Sequence, residues 1–188
     1  MSEIADQLVR FSGTTLTGPS IDRLSRQLGD LGDIFTDKAA WAAMPKEQNV
    51  YEVASYFPVA DGTLAGLFFG ITYIAPGKVG NEYFMTKGHF HQLRDRAEIY
   101  HCIEGEGMLI LMDEQRNTWA ERMHPGSLHY INGYTAHRTA NTGNTTLVFS
   151  AVWPSDAGHD YATISTKGFS RILVEQDGQP VLIKNPLS

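Results

Sequence analysis

The chain has 188 residues, enough for one well-buried core and few for two, so a single domain over residues 1–188 is predicted. An apolar content of 42% argues for a globular protein and against disorder. The net charge of −6, without any basic run, argues against nucleic acid or an anionic membrane as a partner.

Cysteine content and the start of the chain indicate a cellular compartment. Cys102 is the single cysteine, so no intramolecular disulfide is possible and a reducing compartment is suitable. Residues 1–13 lack the basic start and apolar run of a signal peptide, and no apolar stretch approaches the length of a membrane span. A cytoplasmic protein is therefore expected.

Residues 1–49 are predicted to form an N-terminal arm with helical segments. Apolar residues follow Ser20 at helical spacing, which predicts a short amphipathic helix that is capped by Ser20 and ends near Gly29. A weaker helix is predicted over residues 37–43 and ends before Pro45. We expect the arm to pack on the rest of the domain or on a second subunit, without a catalytic role.

From residue 50 onward, short runs of β-branched and aromatic residues alternate with turn signals such as Pro76-Gly77 and Pro125-Gly126. Strands are predicted over residues 51–59, 64–75, 82–86, 97–103, 108–112, 127–131, 146–153, 171–174 and 180–184, with a hairpin turn at Asp177-Gly178 between the last two. The run from Gly105 to Gly107 is predicted to be a tight turn. Many short strands at such intervals predict an all-β, antiparallel sandwich or barrel.

The stretch from Gly88 to Tyr100 carries the strongest candidate for chemistry. Side chains alternate along a strand, so His89 and His91 project to the same side. The polar run 92–96 predicts a turn, and the returning strand places Glu98 and Tyr100 together on one face. A carboxylate can therefore meet two imidazoles.

A second stretch, residues 125–141, supplies His137 as a candidate fourth ligand. Three histidines and a carboxylate suit one divalent transition metal, namely iron(II), nickel, manganese or zinc, and leave coordination positions open. Calcium would require more oxygen ligands. The alternative is that these are ordinary surface or core histidines.

Other nucleophile and ligand patterns are weak. No Gly-x-Ser-x-Gly sequence is present and Cys102 lies in a predicted strand, so serine or cysteine nucleophile chemistry is not expected. His101, His124 and His129 match no ligand position, and the strand phase places His101 at the surface.

The two metal-site stretches resemble the paired motifs of the cupin superfamily. They depart from it in two ways: six residues separate His91 from Glu98, more than in most cupins, and Asn132 and Tyr134 stand where cupins carry proline and glycine. The departures fit a narrower family, the cupin-type glucose-6-phosphate isomerases. Its signatures are similar to PGKVG at 76–80, FMTKGHFH at 84–91, DRAEIY at 95–100, AHRT at 136–139 and DAGHDY at 156–161. The resemblance runs from about Tyr51 to Lys184.

This resemblance implies a cupin jelly-roll barrel over residues 50–188 with the metal inside, iron(II) first among the candidate metals, and a homodimer. It implies a sugar phosphate as the small-molecule substrate and interconversion of glucose 6-phosphate and fructose 6-phosphate. The metal ligands would be His89, His91, Glu98 and His137. The substrate-binding positions would be Tyr51, Thr72, Thr86, Gly88, Tyr100, His159 and Tyr161.

Several details of that implied site depend on single residues. Thr86 faces inward only if a bulge lies near Gly88, and phosphate is expected to bind at Thr86, the Gly88 amide and Thr72. Because the chain is acidic, the metal, Lys78 and Lys87 are the expected sources of local positive charge. Trp153 stands where the family usually has tyrosine, which affects phosphate affinity or the choice of sugar phosphate.

The role of Glu98 has two readings. It can act as a general base that moves a proton between neighbouring carbons, which we favour, or it can stay a metal ligand while the hydrogen moves as hydride. Two other functions are compatible with the motifs: a cupin dioxygenase or oxidase, and a non-catalytic sugar-binding cupin. The loop 156–161 and the ring of polar residues favour the isomerase.

Overall fold

The computed structural model describes residues 6–187, and most of its regular structure is antiparallel β-sheet. The N-terminal part contains β1 (Arg10–Ser12), β2 (Thr15–Thr17), β3 (Ile21–Gln27), a 3-10 turn (Leu28–Leu31) and α1 (Lys38–Ala43). It is followed by β4 (Asn49–Tyr56), β5 (Leu67–Ile74), β6 (Lys78–Val79), β7 (Glu82–Tyr83), β8 (Glu98–Glu104), β9 (Gly107–Asp113), β10 (Thr118–Met123) and β11 (Leu128–Ile131). The remaining elements are β12 (Thr135–Asn141), β13 (Leu147–Pro154), α2 (Ala162–Lys167), β14 (Arg171–Gln176) and β15 (Gln179–Lys184).

The strands form a jelly-roll sandwich, which confirms the predicted fold class. A six-stranded sheet has the order β11-β8-β13-β5-β4-β3, and smaller sheets have the orders β10-β9-β12 and β15-β14-β7-β6. A fourth sheet pairs β1 with β2. The main hydrophobic core takes side chains from the three larger sheets, including Ile74, Leu109 and Leu173. The sheets remain separate in their hydrogen bonding, so the barrel is not closed.

Strand phase agrees with the sequence prediction at β8. Glu98, Tyr100 and Cys102 are buried, whereas Ile99 and His101 are exposed. This alternation confirms that Glu98 and Tyr100 share the inner face and that His101 lies at the surface. The turn predicted after β8 is also present, with Gly105 at a φ of 81°.

The helix predicted to start at Ser20 is wrong. Those residues form β3, which pairs antiparallel with β4 and adds an edge strand to the six-stranded sheet. Leu24 is 45% exposed, so an amphipathic helix here would gain little from burying its apolar residues. Hydrogen bonding to β4 therefore decides the conformation. The helix predicted at residues 37–43 is confirmed as α1, with the Asp37 carboxylate accepting from Ala40 N–H at 2.9 Å.

Other elements differ from the prediction in extent. β10 and β12 were not among the predicted strands, and the strand predicted over residues 82–86 is regular only in β7. The predicted hairpin between β14 and β15 is confirmed. Within residues 6–187, no helix is long and apolar enough to cross a membrane.

Candidate metal centre and cavity

The segment between β7 and β8 carries two of the predicted metal ligands and is hydrogen-bonded to β12. His89 N–H donates to the His137 carbonyl at 3.2 Å, and His137 N–H donates to the His89 carbonyl at 3.0 Å. This bridge places the two imidazoles side by side, with ring centres 4.5 Å apart. The His91 ring centre lies 5.6 Å from that of His89, so the same-side prediction is confirmed although the segment is not a regular strand.

Glu98, the first residue of β8, lies between the other two imidazoles. Its Oε2 atom is 3.1 Å from His91 Nε2 and 3.1 Å from His137 Nε2. The possible ligand atoms of His89, His91, Glu98 and His137 all lie within 4.8 Å of one another. We call these four residues the Glu98 cluster.

Backbone carbonyls fix the Nδ1 proton of two of the imidazoles. His91 Nδ1 lies 2.8 Å from the Arg96 carbonyl, and His137 Nδ1 lies 3.4 Å from the Thr135 carbonyl. A carbonyl can only accept, so Nδ1 carries a proton in both rings. Burial lowers the pKa of His91, but its hydrogen bond to Glu98 outweighs burial and raises the pKa, so without a metal its Nε2 is also protonated. A metal ion would replace that proton and bind the Nε2 lone pair.

Burial and neighbouring groups set the charge of the cluster. Burial by itself would raise the pKa of Glu98, but His137 and His91 outweigh it and lower the pKa to about 2, so the carboxylate is ionised at neutral pH. Burial, together with His137, His159 and His91, lowers the pKa of His89 well below its ordinary value. His89 is therefore a neutral imidazole, the form that binds metals.

The cluster fits a divalent transition metal. The Nε2 atoms of His89 and His137 are buried and make no well-directed hydrogen bond to a described residue, although that of His137 lies 3.1 Å from Glu98 Oε2. Buried polar atoms without partners are unusual in native proteins, and a metal ion would satisfy both. Imidazole nitrogens with one carboxylate are ligands that iron, nickel, manganese and zinc accept.

A cavity of about 690 Å³ opens onto the cluster. His91 is buried behind the cavity wall, whereas the other predicted residues form the wall. The predicted residues that line the cavity are Tyr51, Thr72, Thr86, Gly88, His89, Glu98, Tyr100, His137, His159 and Tyr161.

The segment from Thr86 to Gly88 bends as the sequence required. Gly88 has a φ of 77°, and this bend allows Thr86 to line the same cavity as His89. Thr86 Oγ1 accepts from Thr139 N–H at 3.0 Å, so its own hydroxyl hydrogen remains for another acceptor. No described protein group accepts a hydrogen bond from Gly88 N–H.

Two tyrosines complete the inner part of the cavity. Burial and the hydrogen-bonded Glu98 carboxylate raise the pKa of Tyr100 well above its ordinary value. Burial and the nearby Tyr161 raise the pKa of Tyr51, whose hydroxyl bonds to the Lys87 backbone and to Arg26. Both therefore remain neutral phenols. Tyr51 accepts from its two partners and keeps its hydrogen for an anion or a sugar oxygen, whereas Tyr100 donates to Glu98 and can accept from a sugar hydroxyl.

The loop with His159 and Tyr161 lies against the cluster. The His159 ring centre is 4.3 Å from that of His89, and His159 stacks on Tyr161 at 5.6 Å with an interplanar angle of 8°. Burial lowers the pKa of His159, although Glu98 opposes this shift. The cavity thus has a second imidazole face beside the predicted ligands.

Two arginines that the sequence prediction did not single out hold this loop in place. Arg94 Nη2 lies 2.5 Å from Asp160 Oδ2, and Arg94 Nη1 donates to the His91 carbonyl at 2.8 Å. Arg96 bonds both oxygens of Asp156, at 2.9 and 2.7 Å. The sequence signal for these ion pairs is two arginines between His91 and Glu98 and two aspartates in the segment 156–161.

The predicted sources of positive charge are only partly present. Lys87 lines the cavity, but its Nζ pairs with Asp33 at 3.1 Å. Lys78 was wrongly assigned: it pairs with Glu175 at 2.7 Å and does not line the cavity. A further cation, Arg138, was not singled out; burial lowers its pKa to about 10, so it is charged at neutral pH.

The outer part of the cavity is aromatic. Trp153 lines it beside Phe68, with ring centres 5.9 Å apart, and Phe57 packs edge-on against Phe68 at 4.7 Å. A Cβ atom at Gly70 would lie 3.0 Å from the Trp153 ring. The indole therefore occupies space that is free because residue 70 is glycine.

Outside the cavity, Ser127, His129 and Glu121 form a second group that we call the His129 group. Its geometry is that of a hydrogen-bonded chain: Ser127 Oγ lies 2.9 Å from His129 Nε2, and His129 Nδ1 lies 2.7 Å from Glu121 Oε2. None of the three residues lines the cavity. His129 thus agrees with the prediction that it is not a ligand of the metal cluster.

Comparison with known proteins identifies the family. The family model described as "Glucose-6-phosphate isomerase (GPI)" matches residues 25–186. The chain belongs to the glucose-6-phosphate isomerase family. Curated relatives of that name include proteins of Thermococcus litoralis, 45% identical over 86% of this chain and 85% of the relative, and of Thermococcus kodakarensis, 46% identical over 89% and 88%. One from Sinorhizobium medicae is 35% identical over 82% of this chain and 72% of the relative.

Solved structures with a similar fold include Bacillus subtilis oxalate decarboxylase. It aligns with 63% of this chain and 28% of that chain, at 18% identity and a TM-score of 0.45.

Proposed function

We propose that this protein is a metal-dependent aldose–ketose isomerase that interconverts glucose 6-phosphate and fructose 6-phosphate. The observation that carries the proposal is the Glu98 cluster, with buried unpartnered imidazole nitrogens at a cavity lined by hydroxyl groups. Membership of the glucose-6-phosphate isomerase family supports the choice of substrate.

His89, His91, Glu98 and His137 would hold one divalent transition metal per chain, and iron(II) is the first candidate, with nickel, manganese and zinc as the others. When bound, such an ion polarises substrate oxygens and stabilises the negative charge that develops on them during isomerisation. The carbonyl contacts of His91 and His137 keep their Nε2 atoms aimed at one point.

The polar wall would bind the sugar phosphate. Thr86 has a free hydroxyl hydrogen and Gly88 a free N–H, so both can donate to phosphate oxygens, with Thr72 beside them in the cavity wall. Tyr100 is neutral and buried; its hydroxyl donates to Glu98, and its oxygen can accept a hydrogen bond from a sugar hydroxyl. His159 and Tyr161, which stack on each other beside His89, would cover the sugar and exclude water.

Glu98 would act as the general base that takes a proton from one carbon and returns it to its neighbour. It is the one carboxylate of the cluster, and each carboxylate has two oxygens, so one can accept a proton while the other faces the imidazoles. In the alternative route, Glu98 stays a metal ligand and hydrogen moves as hydride between carbons 1 and 2.

The test of the function is a coupled assay on fructose 6-phosphate with chelated protein and with protein reloaded with single metals. We expect no turnover after chelation and recovery with at least one transition metal. Full activity after complete metal removal, verified by elemental analysis, would contradict metal dependence. Absence of turnover with every metal would contradict the isomerase function and favour a sugar-binding or oxygen-dependent cupin.

A separate experiment distinguishes the two roles of Glu98. The isomerisation is run in deuterated water, stopped early and the product examined for deuterium at carbons 1 and 2. Label at early conversion supports proton exchange through Glu98. Its complete absence, where a proton-transfer isomerase run in parallel does incorporate label, would assign hydride shift instead.

We also propose a homodimer in the cytoplasm. Leu128 and Tyr130 on edge strand β11 are 69% and 59% exposed, and Ile99 beside Tyr130 on β8 is 40% exposed. Contiguous exposed apolar side chains of this kind support a subunit contact. Sedimentation of the wild type and of a Leu128→Glu plus Tyr130→Glu variant would test it, with a monomeric variant as the expected result.

A further inference from the structure

Arg138 is a buried cation directly behind the wall that carries Thr86 and Gly88. It follows His137 on β12, so its side chain points to the opposite face of the strand from the metal ligand. Arg138 is 5% exposed, and its guanidinium carbon lies 4.3 Å from the centre of the Phe169 ring.

Its contacts include no direct ion pair, although the Glu82 and Asp33 carboxylates lie near enough to favour its charged form. Arg138 Nη2 donates to the Lys87 carbonyl at 2.7 Å, Nη1 contacts Met85 Sδ at 3.3 Å, and Nε has no partner. Within residues 6–187, no carboxylate oxygen lies at ion-pair distance from this guanidinium. An arginine side chain stays protonated in proteins, and a buried charge without a counter-ion is strongly unfavourable.

The bond to the Lys87 carbonyl determines which way the following amide points. The peptide bond between Lys87 and Gly88 is trans, so the Lys87 carbonyl and the Gly88 N–H point in opposite directions. Because Arg138 holds the carbonyl from behind the wall, the N–H is directed away from Arg138, toward the cavity. The fit is close: a Cβ atom at Gly88 would lie 3.0 Å from Arg138 Nε and 2.9 Å from Arg138 Cβ.

Among the described residues, the other cations near this wall have partners of their own: Arg26 bonds the Tyr51 hydroxyl on the cavity side. Lys87 is paired with Asp33, and Lys78 is paired with Glu175 away from the cavity. A phosphate at Thr86 and Gly88 would have only the thin Lys87–Gly88 backbone between it and the Arg138 cation. An electrostatic attraction in such a buried setting is screened little by salt.

We propose that Arg138 is the positioning residue of the phosphate site: its cation lies behind the wall as the counter-charge of the substrate's phosphate, and its bond to the Lys87 carbonyl aims the Gly88 N–H at that anion. This inference rests on the proposed function in one respect, the location of the phosphate at Thr86 and Gly88. It assigns no contact between Arg138 and the substrate.

The test compares Arg138→Met, Arg138→Gln and Arg138→Lys with Lys78→Met, which removes one positive charge elsewhere on the protein. For each variant, KM and kcat with fructose 6-phosphate are measured, together with the dissociation constant of inorganic phosphate by calorimetry and the metal content. Arg138→Met should raise KM and the phosphate dissociation constant by about 10- to 100-fold, the range for hydrogen bonds to charged groups, and change kcat by less than about threefold. Arg138→Lys should recover most of the affinity, and Lys78→Met should match the wild type.

The outcomes separate this inference from the proposed function. If the wild type does not isomerise fructose 6-phosphate, the function fails, and the calorimetric comparison with inorganic phosphate still tests Arg138. A fall in kcat alone, with KM and the phosphate dissociation constant unchanged, would overturn the proposal because it indicates a structural role only. If Arg138→Met does not fold, as judged by circular dichroism, Arg138→Gln replaces it in the test. Glutamine keeps a donor for the Lys87 carbonyl but removes the charge. Wild-type phosphate affinity in that variant would overturn the proposal.

Discussion

The Glu98 cluster and the His129 group both place histidine beside glutamate, yet their imidazole nitrogens have different partners. In the His129 group, both ring nitrogens of His129 are hydrogen-bonded, one to Ser127 and one to Glu121. In the Glu98 cluster, the Nε2 atoms of His89 and His137 are buried and make no well-directed hydrogen bond to a described residue. The first group lies outside the cavity and the second forms part of its wall.

This difference shows which observation indicates function. Histidine beside a carboxylate occurs in both places, and the distances in the His129 group resemble those of a catalytic triad. Because both ring nitrogens of His129 are hydrogen-bonded, neither has a lone pair free for a metal ion, and the group lies outside the cavity that a substrate could reach. Buried unsatisfied nitrogens facing a cavity do require a partner, so the Glu98 cluster is the candidate site and the His129 group is a structural link between β10 and β11.

The largest effect that would separate the two groups is expected from a His89→Ala plus His137→Ala double variant. It removes both unpartnered nitrogens, so the metal should be lost and turnover should fall by about 1000-fold or more, since a metal supplies several kcal/mol of charge stabilisation. Elemental analysis after reloading and the coupled assay measure the two quantities. Full metal occupancy in this variant would refute the ligand assignment.

A Glu98→Gln variant sharpens the comparison within the cluster. The amide keeps an oxygen near His91 and His137 but loses the charge and the proton-accepting role. Turnover should fall by about 100- to 10,000-fold if Glu98 is the base. Metal content is measured in the same sample, because a variant that binds metal normally and retains full turnover would exclude Glu98 as the catalytic residue.

The cluster and its strands could be predicted from sequence because they depend on local periodicity. The two-residue alternation in β8 and in residues 89–91 placed His89, His91, Glu98 and Tyr100 correctly. Gly88 signalled the bend that turns Thr86 inward, because only glycine adopts this φ readily. The family resemblance supplied His159 and Tyr161, which periodicity alone does not place.

What failed depends on contacts between residues far apart in the chain. β3 was predicted as a helix because its spacing fits one, and only the hydrogen bonds to β4 decide otherwise. Arg138 could not be singled out from the sequence because its role depends on tertiary contacts. Its partners Phe169, Met85 and the Lys87 carbonyl lie elsewhere in the chain. Lys78 was misassigned because its partner, Glu175, lies nearly a hundred residues later.

A smaller effect is expected at the polar wall. Thr86→Ala removes the hydroxyl proposed to donate to phosphate, so KM for fructose 6-phosphate should rise by about 10- to 100-fold while kcat changes little. Thr86→Ser keeps the hydroxyl and should behave nearly as the wild type. Steady-state kinetics on both variants provide the measurement, and an unchanged KM in Thr86→Ala would remove this residue from the site.

The smallest effect is expected from the His129 group, where we predict a change in stability without a change in activity. His129→Leu removes two hydrogen bonds from a side chain that is 5% exposed, which should lower the free energy of unfolding by about 1–3 kcal/mol. Glu121 is 40% exposed, so water can solvate its carboxylate once the imidazole is gone, and this keeps the loss at the lower end of that range. Ser127→Ala removes only one of the two bonds and should have about half the effect.

Denaturant unfolding measures the stability, while metal content and turnover should stay within about twofold of the wild type, because no atom of this group lines the cavity. A loss of turnover in His129→Leu as large as that of the double histidine variant, in folded protein with normal metal content, would show that the two groups share one function and that unsatisfied nitrogens are not what distinguishes them.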